Sequence, residues 1–392
     1  MEPLIDVQVK HWMNKIGSTV SEKNTILDLD AWPRYLTFDV ITDVAFGAPL
    51  GCIETAGDVG GIVENFRVGL TLAGLFMRLY PFTEWINTTW MGKYLQVRPT
   101  DKTGWGLAMR LRDQLLEQRL KELEDGTFRD HTDLLQAILD ARNDDGTPIE
   151  LERIKADLFL ILMAGADTAG TAIQSIVRLT VTNQPVYLKM IAEIDKATEA
   201  GDLSAMPQYD EIVRHCPYYI ACVKEALRLY PSAPNLFARV APPEGLVIEG
   251  MNIPGGTQVT CCAWITGRDE ALFGPDAHVF RPERWLESAE KVALYEKYSF
   301  VWGYGTRVCL GKEIALMELY KAPFQVSALS IKVRMSMSMN ADYIDVSQFI
   351  RAYDVEFVTE GFFASRAGVG AWEDFKIRVR PRTPGQAVIE TQ

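Results

Sequence analysis

Phe300-Val301-Trp302-Gly303-Tyr304-Gly305-Thr306-Arg307-Val308-Cys309-Leu310-Gly311 is the stretch on which the reading of this chain turns. Two phosphate-loop readings fail on spacing. A dinucleotide fingerprint needs a third glycine where Val308 stands. For a Walker loop, Gly305 and Gly311 are one residue too far apart, and Glu313 stands after Lys312 where Ser or Thr is needed. What remains is a cysteine in a glycine-rich turn at the start of a helix. A helix N-terminus offers unpaired amides and favours anions, so it favours a thiolate. Gly303 and Gly305 permit backbone paths closed to most residues. Gly311 leaves room for a flat group, and Arg307 is a charge-assisted partner for a carboxylate. A lone cysteine near two glycines is usually a buried core residue. A thiolate, a flat ligand and a carboxylate partner in one stretch suggest haem instead.

The composition around this stretch is that of an ordinary globular protein. The chain has 392 residues, 48% of them hydrophobic and 23% charged, with ample apolar material for a large core. A net charge of −12 argues against non-specific nucleic-acid binding, which depends on Lys and Arg against phosphate. No run of about 18 or more apolar residues stands in the sequence, so no membrane-spanning helix is read. Met1-Glu2-Pro3-Leu4-Ile5-Asp6 lacks the charged-then-apolar layout of a signal peptide. Six cysteines without a CxxC pair are too few for a disulfide scaffold, and the four histidines lack zinc-ligand spacing.

Upstream of the loop the chain reads as helix after helix. In residues 39–47 apolar positions keep helical spacing and Gly47 is a natural stop. Trp105 to Glu124 is a long charged helix closed by Asp125-Gly126. Thr147-Pro148-Ile149-Glu150 predicts a helix start with Thr147 as cap and Glu150 completing a capping box. The helix that follows runs to about Asn183. Its middle, residues 158–176, is apolar nearly all round and should be buried. A further helix spans about Pro217 to Leu229 and stops before Pro231. Residues 245–248 and 258–260 then read as short strands among Pro and Gly turns. A helix from about Gly311 and strands toward the C-terminus complete a mainly α chain with small β-sheets, an α+β class.

Two other places carry candidate chemistry. Asp167-Thr168 lies inside the long helix, where a buried acid needs a partner or a reason. Thr168 can bond the carbonyl one turn earlier or present its hydroxyl elsewhere, and Gly165 could widen the helix groove for a ligand. Taken alone, such a run is more often a packing irregularity than a catalytic site. Glu225 and Arg228 share a helix face at i, i+3 spacing. Such pairs are usually solvated, but Arg284 of Phe280-Arg281-Pro282-Glu283-Arg284-Trp285 could join them in a structural network.

Taken in order, these motifs resemble those of the cytochrome P450 family, the haem-thiolate monooxygenases. Asp167-Thr168 matches the family's oxygen-activating helix, Glu225-x-x-Arg228 its ExxR pair and Arg284 the third member of that network. The loop matches from Phe300 to Gly311 without a departure. The texture around Pro217-Tyr218-Tyr219 and Lys224-Glu225-Ala226-Leu227-Arg228 is most similar to fungal enzymes of the pisatin-demethylase type, which often tailor secondary metabolites. The resemblance implies haem b (iron-protoporphyrin IX) with Cys309 as axial thiolate. A thiolate ligand pushes electron density onto iron. It implies Thr168 with Asp167 in proton delivery, Arg307 and Arg239 at the propionates, and Phe300 on the sulfur side of the haem. It implies O2, an apolar small-molecule substrate, and electrons from an NADPH–cytochrome P450 reductase. It also implies the endoplasmic reticulum membrane, reached through an anchor that this chain lacks, so that the chain as written is expected in the cytoplasm.

The chain is expected to be a single haem-thiolate domain, incomplete at its N-terminus: the anchor, first sheet and first helices of the family have no counterpart. A truncated, non-catalytic remnant that binds haem poorly is therefore the alternative to an enzyme. A thiolate-haem isomerase or dehydratase is disfavoured by Asp167-Thr168. The second departure is the segment 326–348. Joining Gln325 to Phe349 restores the family's texture. Val326-Ser327 can be encoded by a splice donor such as GTGAGT, Gln348 by an acceptor CAG, and Ala341-Asp342 by a branch-site sequence. A translated intron is the expectation here and a surface loop is the alternative.

Overall fold

The computed structural model describes residues 1–21, 26–79, 81–128, 133–234, 238–328, 353–366 and 368–381. The first half contains α1 (Glu2–Ser21), β1 (Ile26–Asp28), α2 (Trp32–Phe46), α3 (Cys52–Thr55), α4 (Ile62–Arg78), α5 (Phe82–Asn87), α6 (Gly92–Leu95), α7 (Trp105–Glu124), α8 (Leu134–Asp140) and α9 (Leu151–Thr182). Next come α10 (Gln184–Glu199), α11 (Tyr209–His215), α12 (Pro217–Leu229), β2 (Arg239–Val240), β3 (Leu246–Ile248), β4 (Met251–Ile253), β5 (Gln258–Val259), α13 (Ala263–Thr266) and α14 (Glu270–Phe273). After α15 (Ala289–Tyr298) and α16 (Lys312–Ala328), β6 (Tyr353–Arg366) and β7 (Val369–Pro381) form a long hairpin. The α+β expectation holds: helices dominate, and the strands form one three-stranded sheet in the order β1-β7-β6 and two antiparallel pairs, β2-β5 and β3-β4.

Helix α9 is the spine. Its 32 residues span roughly 48 Å at 1.5 Å per residue. Helices α2, α12 and α16 and strand β7 pack on it, and the main core joins Val40 and Val44 to Ile173, Ile176, Cys222, Val223, Leu319 and Phe375. Helix α2 approaches closely at two glycines. A Cβ on Gly165 would lie 2.5 Å from Ile41 Cδ1, and one on Gly170 would lie 3.2 Å from Arg34 Cγ. The small residue at 165 therefore admits the neighbouring helix rather than widening a groove for a ligand, which corrects the sequence reading.

Several sequence boundaries are met. Helix α2 stops at Gly47, whose left-handed backbone (φ 69°) lets its N–H reach Asp43 O. Helices α7 and α12 have the expected limits. Two expectations fail. Thr147 does not cap α9: the helix begins at Leu151 after Glu150, with no side-chain cap. Thr147 instead closes a turn on Asp145, its N–H and Oγ1 donating to Oδ1 at 2.9 and 2.6 Å. Nor is the middle of α9 buried all round. Leu160 is 60% exposed and Ala164 is also exposed, so one stripe of the spine faces open space.

Helix α1 is tied to α16 by charge as well as by packing. The Lys321 ammonium is wholly buried between Glu2 Oε1 (2.5 Å) and Asp6 Oδ1 (2.6 Å). Two stretches, Val59–Phe76 and Leu151–Thr182, are long and apolar enough to cross a membrane by length and composition. The second is the core spine. The first overlaps α4, which with α5 exposes Leu72, Leu75, Phe76, Phe82 and Trp85, while Trp90 is exposed in the turn before α6. The segment 326–348 lies outside the described residues from position 329 onward; α16 continues through Ala328.

Candidate functional site

The cysteine loop is a set of tight turns anchored from behind. Gly303 N–H donates to Phe300 O, Val308 N–H to Gly305 O, and Cys309 N–H to Trp302 O at 2.7 Å. Gly303 (φ 74°) must be glycine, because a Cβ there would lie 2.7 Å from Arg307 O. Val301, Trp302 and Ile314 pack on the main core, so the loop is held while its outer face stays open. That face carries the Cys309 thiol, exposed, and Leu310, 96% exposed. No atom lies within 4 Å of where a Gly311 Cβ would stand. Arg307 is exposed and makes no ion pair among the described residues. Phe300 is half-buried, its ring 6.0 Å from that of Tyr304. Helix α16 begins directly after Gly311 and packs on α9.

On α9 the structure separates the two residues that the sequence paired. Thr168 is half-buried on the stripe that carries exposed Ala164, and its Oγ1 donates to Ala164 O at 2.9 Å. Asp167 points the other way. It is 3% exposed, and its carboxylate meets Arg34 Nε of α2 at 3.1 Å. Burial pushes its carboxyl above the usual range, while Arg34 and Arg67 pull it back.

Glu225, Arg228 and Arg284 are brought together, and none is solvated. Arg228 donates to both Glu225 oxygens, at 2.8 and 2.7 Å, and Arg284 Nε donates to Oε1 at 2.9 Å. Trp285 Nε1 and the Arg281 N–H complete the carboxylate's shell at 2.9 and 3.0 Å. The remaining guanidinium donors go mostly to carbonyls: Arg228 to Ala277, Val279 and Gly267, and Arg284 to Phe273, Asp276 and Val279, with Arg284 Nη1 also reaching the Asp276 carboxylate at 3.4 Å. The cluster thus pins the segment that leads to the cysteine loop against α12. Arg239 is exposed on β2, whose register pairs it with Val259.

Three features had no signal in the sequence. Arg34 as the partner of Asp167 lies far away along the chain, and Lys321 between two acids of α1 is as remote. The third is Glu318, on the helix that follows the loop. It is 2% exposed, and its Oε2 has no partner among the described residues. Burial holds its carboxyl well above the usual range. An acid with a raised folded pKa gains a proton on folding, so the stability it confers is full below its unfolded pKa and falls as pH rises. Glu318→Gln should therefore leave stability unchanged near pH 4 and raise it at pH 7 and above, read by urea unfolding at both. Equal effects at both pH values would contradict a protonated Glu318.

Comparison with known proteins decides the family. Residues 1–322 match the family model described as Cytochrome P450. The chain is a cytochrome P450 family member. It is 36% identical over 327 residues to quiannulatic acid synthase of Emericella variicolor, an alignment covering 81% of this chain and 64% of that protein. It is 30% identical over 309 residues to pisatin demethylase of Fusarium vanettenii, covering 78% and 57%. The chain thus spans less than two thirds of the length of these curated relatives. Among solved structures, the cytochrome P450DA heme domain superposes with a TM-score of 0.71 at 19% identity, covering 97% of this chain and 73% of that one. The family is enzymatic and its cofactor is haem iron. The P450 loop described above fits such a group: an open thiol beside a glycine with nothing over it, an almost fully exposed leucine, and a cation, Arg307, with no ion pair among the described residues. A flat, apolar, acid-bearing ring would cover Leu310 and Gly311 and offer a carboxylate to Arg307.

Proposed function

We propose that this P450 is a haem-thiolate monooxygenase. In this reading it inserts one atom of O2 into an apolar small molecule, by hydroxylation or oxidative dealkylation, in fungal secondary-metabolite biosynthesis. The observation that carries the reading is the open Cys309 face at the start of α16. Fungal relatives named as monooxygenases, such as that of Penicillium aethiopicum at 32% identity, support the setting. Cys309 would hold haem b through its thiolate, with Phe300 on the sulfur side, Gly303 shaping the loop and Gly311 leaving space for the ring. Arg307 and Arg239 would take the propionates. Bound haem supplies oxygen activation, and an NADPH–cytochrome P450 reductase would supply electrons.

The chain's own contribution on the oxygen side is a proton at a fixed place. Thr168 Oγ1 sits on the open stripe of α9, oriented by its bond to Ala164 O. Thr168→Ala should slow product formation by about 10²-fold or more, the low end of what a positioned acid–base group contributes, and lower the product formed per NADPH consumed. Peroxide should rise in step. Unchanged yield per NADPH would remove Thr168 from the reaction. The second reading is a remnant that binds haem poorly, and the carbon-monoxide spectrum described below separates the two.

Two further parts of the reading concern place and chain. The exposed apolar side chains of α4 to α6 support a membrane-surface location, in line with the endoplasmic reticulum. The whole chain is taken as one haem-thiolate domain interrupted by a translated intron at 326–348. The cDNA sequence tests the last point, and an abundant spliced transcript that retains these codons would overturn it.

A further inference from the structure

Asp167 is the end of a ladder of alternating charges that crosses five elements, α9, α2, α4, β7 and β6. Asp167 meets Arg34 Nε at 3.1 Å, and Arg34 Nη2 meets Asp30 Oδ1 at 2.5 Å. Asp30 Oδ2 lies 3.5 Å from Arg67 Nη1 on α4. Arg67 Nη2 meets Glu373 Oε1 of β7 at 3.0 Å, and Arg366 of β6 closes on the same oxygen at 2.8 Å. Three acids thus alternate with three guanidinium groups. The inner members are buried: Arg34 is 2% exposed and Asp167 3%. The backbone is built to admit the central guanidinium. Gly170, one turn beyond Asp167, is the residue whose missing Cβ leaves room for the Arg34 stem. Gln174, a turn further on, donates to Asp30 O at 2.9 Å, so α9 grips both ends of the Arg34–Asp30 pair.

We propose that Arg34 is a positioning residue for Asp167, holding its carboxylate toward α2 and away from the open stripe of Thr168, with Asp30, Arg67 and Glu373 fixing Arg34 from behind. The ladder ties the position of that carboxylate to α4 and to the β6–β7 hairpin. The groups that act on Asp167 are Arg34 from α2, Arg67 from α4 and Asp30 from the turn before α2, with Glu373 of β7 beyond Arg67. The catalytic weight of the proposal rests on the monooxygenase reading, in which Asp167 and Thr168 handle protons. Its geometric content does not.

The test is therefore made on the full chain without haem, by urea unfolding across pH. The variants are Arg34→Gln, Asp167→Asn, the pair, and Arg34→Lys. Burial raises the Asp167 carboxyl and Arg34 opposes it, so removing Arg34 moves it further up. Stability then falls with rising pH over a window that reaches higher than in the parent chain. The expected result is a steeper fall in Arg34→Gln, abolished when Asp167→Asn is added and partly reversed in Arg34→Lys. The two single variants should be non-additive by roughly tenfold in the unfolding equilibrium constant. Additive effects with an unchanged pH slope would overturn the proposal. If Arg34→Gln does not fold, Arg67→Gln, one bridge away, must show the same steeper slope or the proposal fails. Loss of monooxygenase activity in the parent chain would leave this outcome untouched, so the two readings fail separately.

Discussion

Glu225→Ala is expected to lower stability by about 3–5 kcal/mol, the usual loss when one member of a buried ion pair is removed. Glu225 has no exposed surface and accepts five hydrogen bonds, from Arg228 twice, Arg284, Trp285 and the Arg281 N–H. Removing it takes the nearest carboxylate from two guanidinium groups that are 3% and 0% exposed, leaving Arg228 with carbonyls alone and Arg284 with carbonyls and the more distant Asp276 carboxylate at 3.4 Å. Against a typical total of 5–15 kcal/mol, that is enough to unfold a marginal domain. Glu225→Gln should do nearly as much harm, because it keeps the shape and loses the charge. Urea midpoints check both. A loss under about 1 kcal/mol for Glu225→Ala would mean that the cluster is wetter than its burial states. The damage should be felt at the cysteine loop too, since the cluster fixes the chain from Gly267 to Trp285 just ahead of it.

Cys309→Ala is expected to behave in the opposite way. Cys309 is exposed, so the haem-free chain should keep its stability within about 0.5 kcal/mol, as surface substitutions do. Thiolate ligation should vanish completely. Separating the two readouts, unfolding without haem and spectroscopy with it, distinguishes a ligand from a structural cysteine. Buried Cys222 is the control: burial holds its thiol well above the usual range, and its replacement should cost stability instead.

Much of this molecule could be read from residue order alone. Local chemistry marked the ends of α2 and α12, because Gly47 and Pro231 act on their own neighbours. The cysteine loop was legible for the same reason: its glycines answer to turns within a dozen residues. The Glu225 network was half legible, since the i, i+3 pair is local but Arg284, Trp285 and the carbonyls that satisfy both arginines are brought in by the fold. The Arg34–Asp167 pair and Lys321 between Glu2 and Asp6 were not legible at all. Nothing at either end announces a partner more than a hundred residues away. Thr147 misled because a Thr-Pro-x-Glu run carries the same letters in a cap and in a turn, and Asp145 decided between them. Gly165 misled because a gap for a ligand and a gap for Ile41 look alike until α2 is in place.

The central claim is that the open face around Cys309 makes a haem-thiolate site. The measurement that tests it most directly is a reduced, carbon-monoxide difference spectrum of the purified chain reconstituted with haem. A red-shifted Soret band of the thiolate type, lost in Cys309→Ala, is the predicted result. No band, or one typical of haem without a thiolate ligand, would contradict it and leave the chain as a non-catalytic relative of the enzymes it resembles.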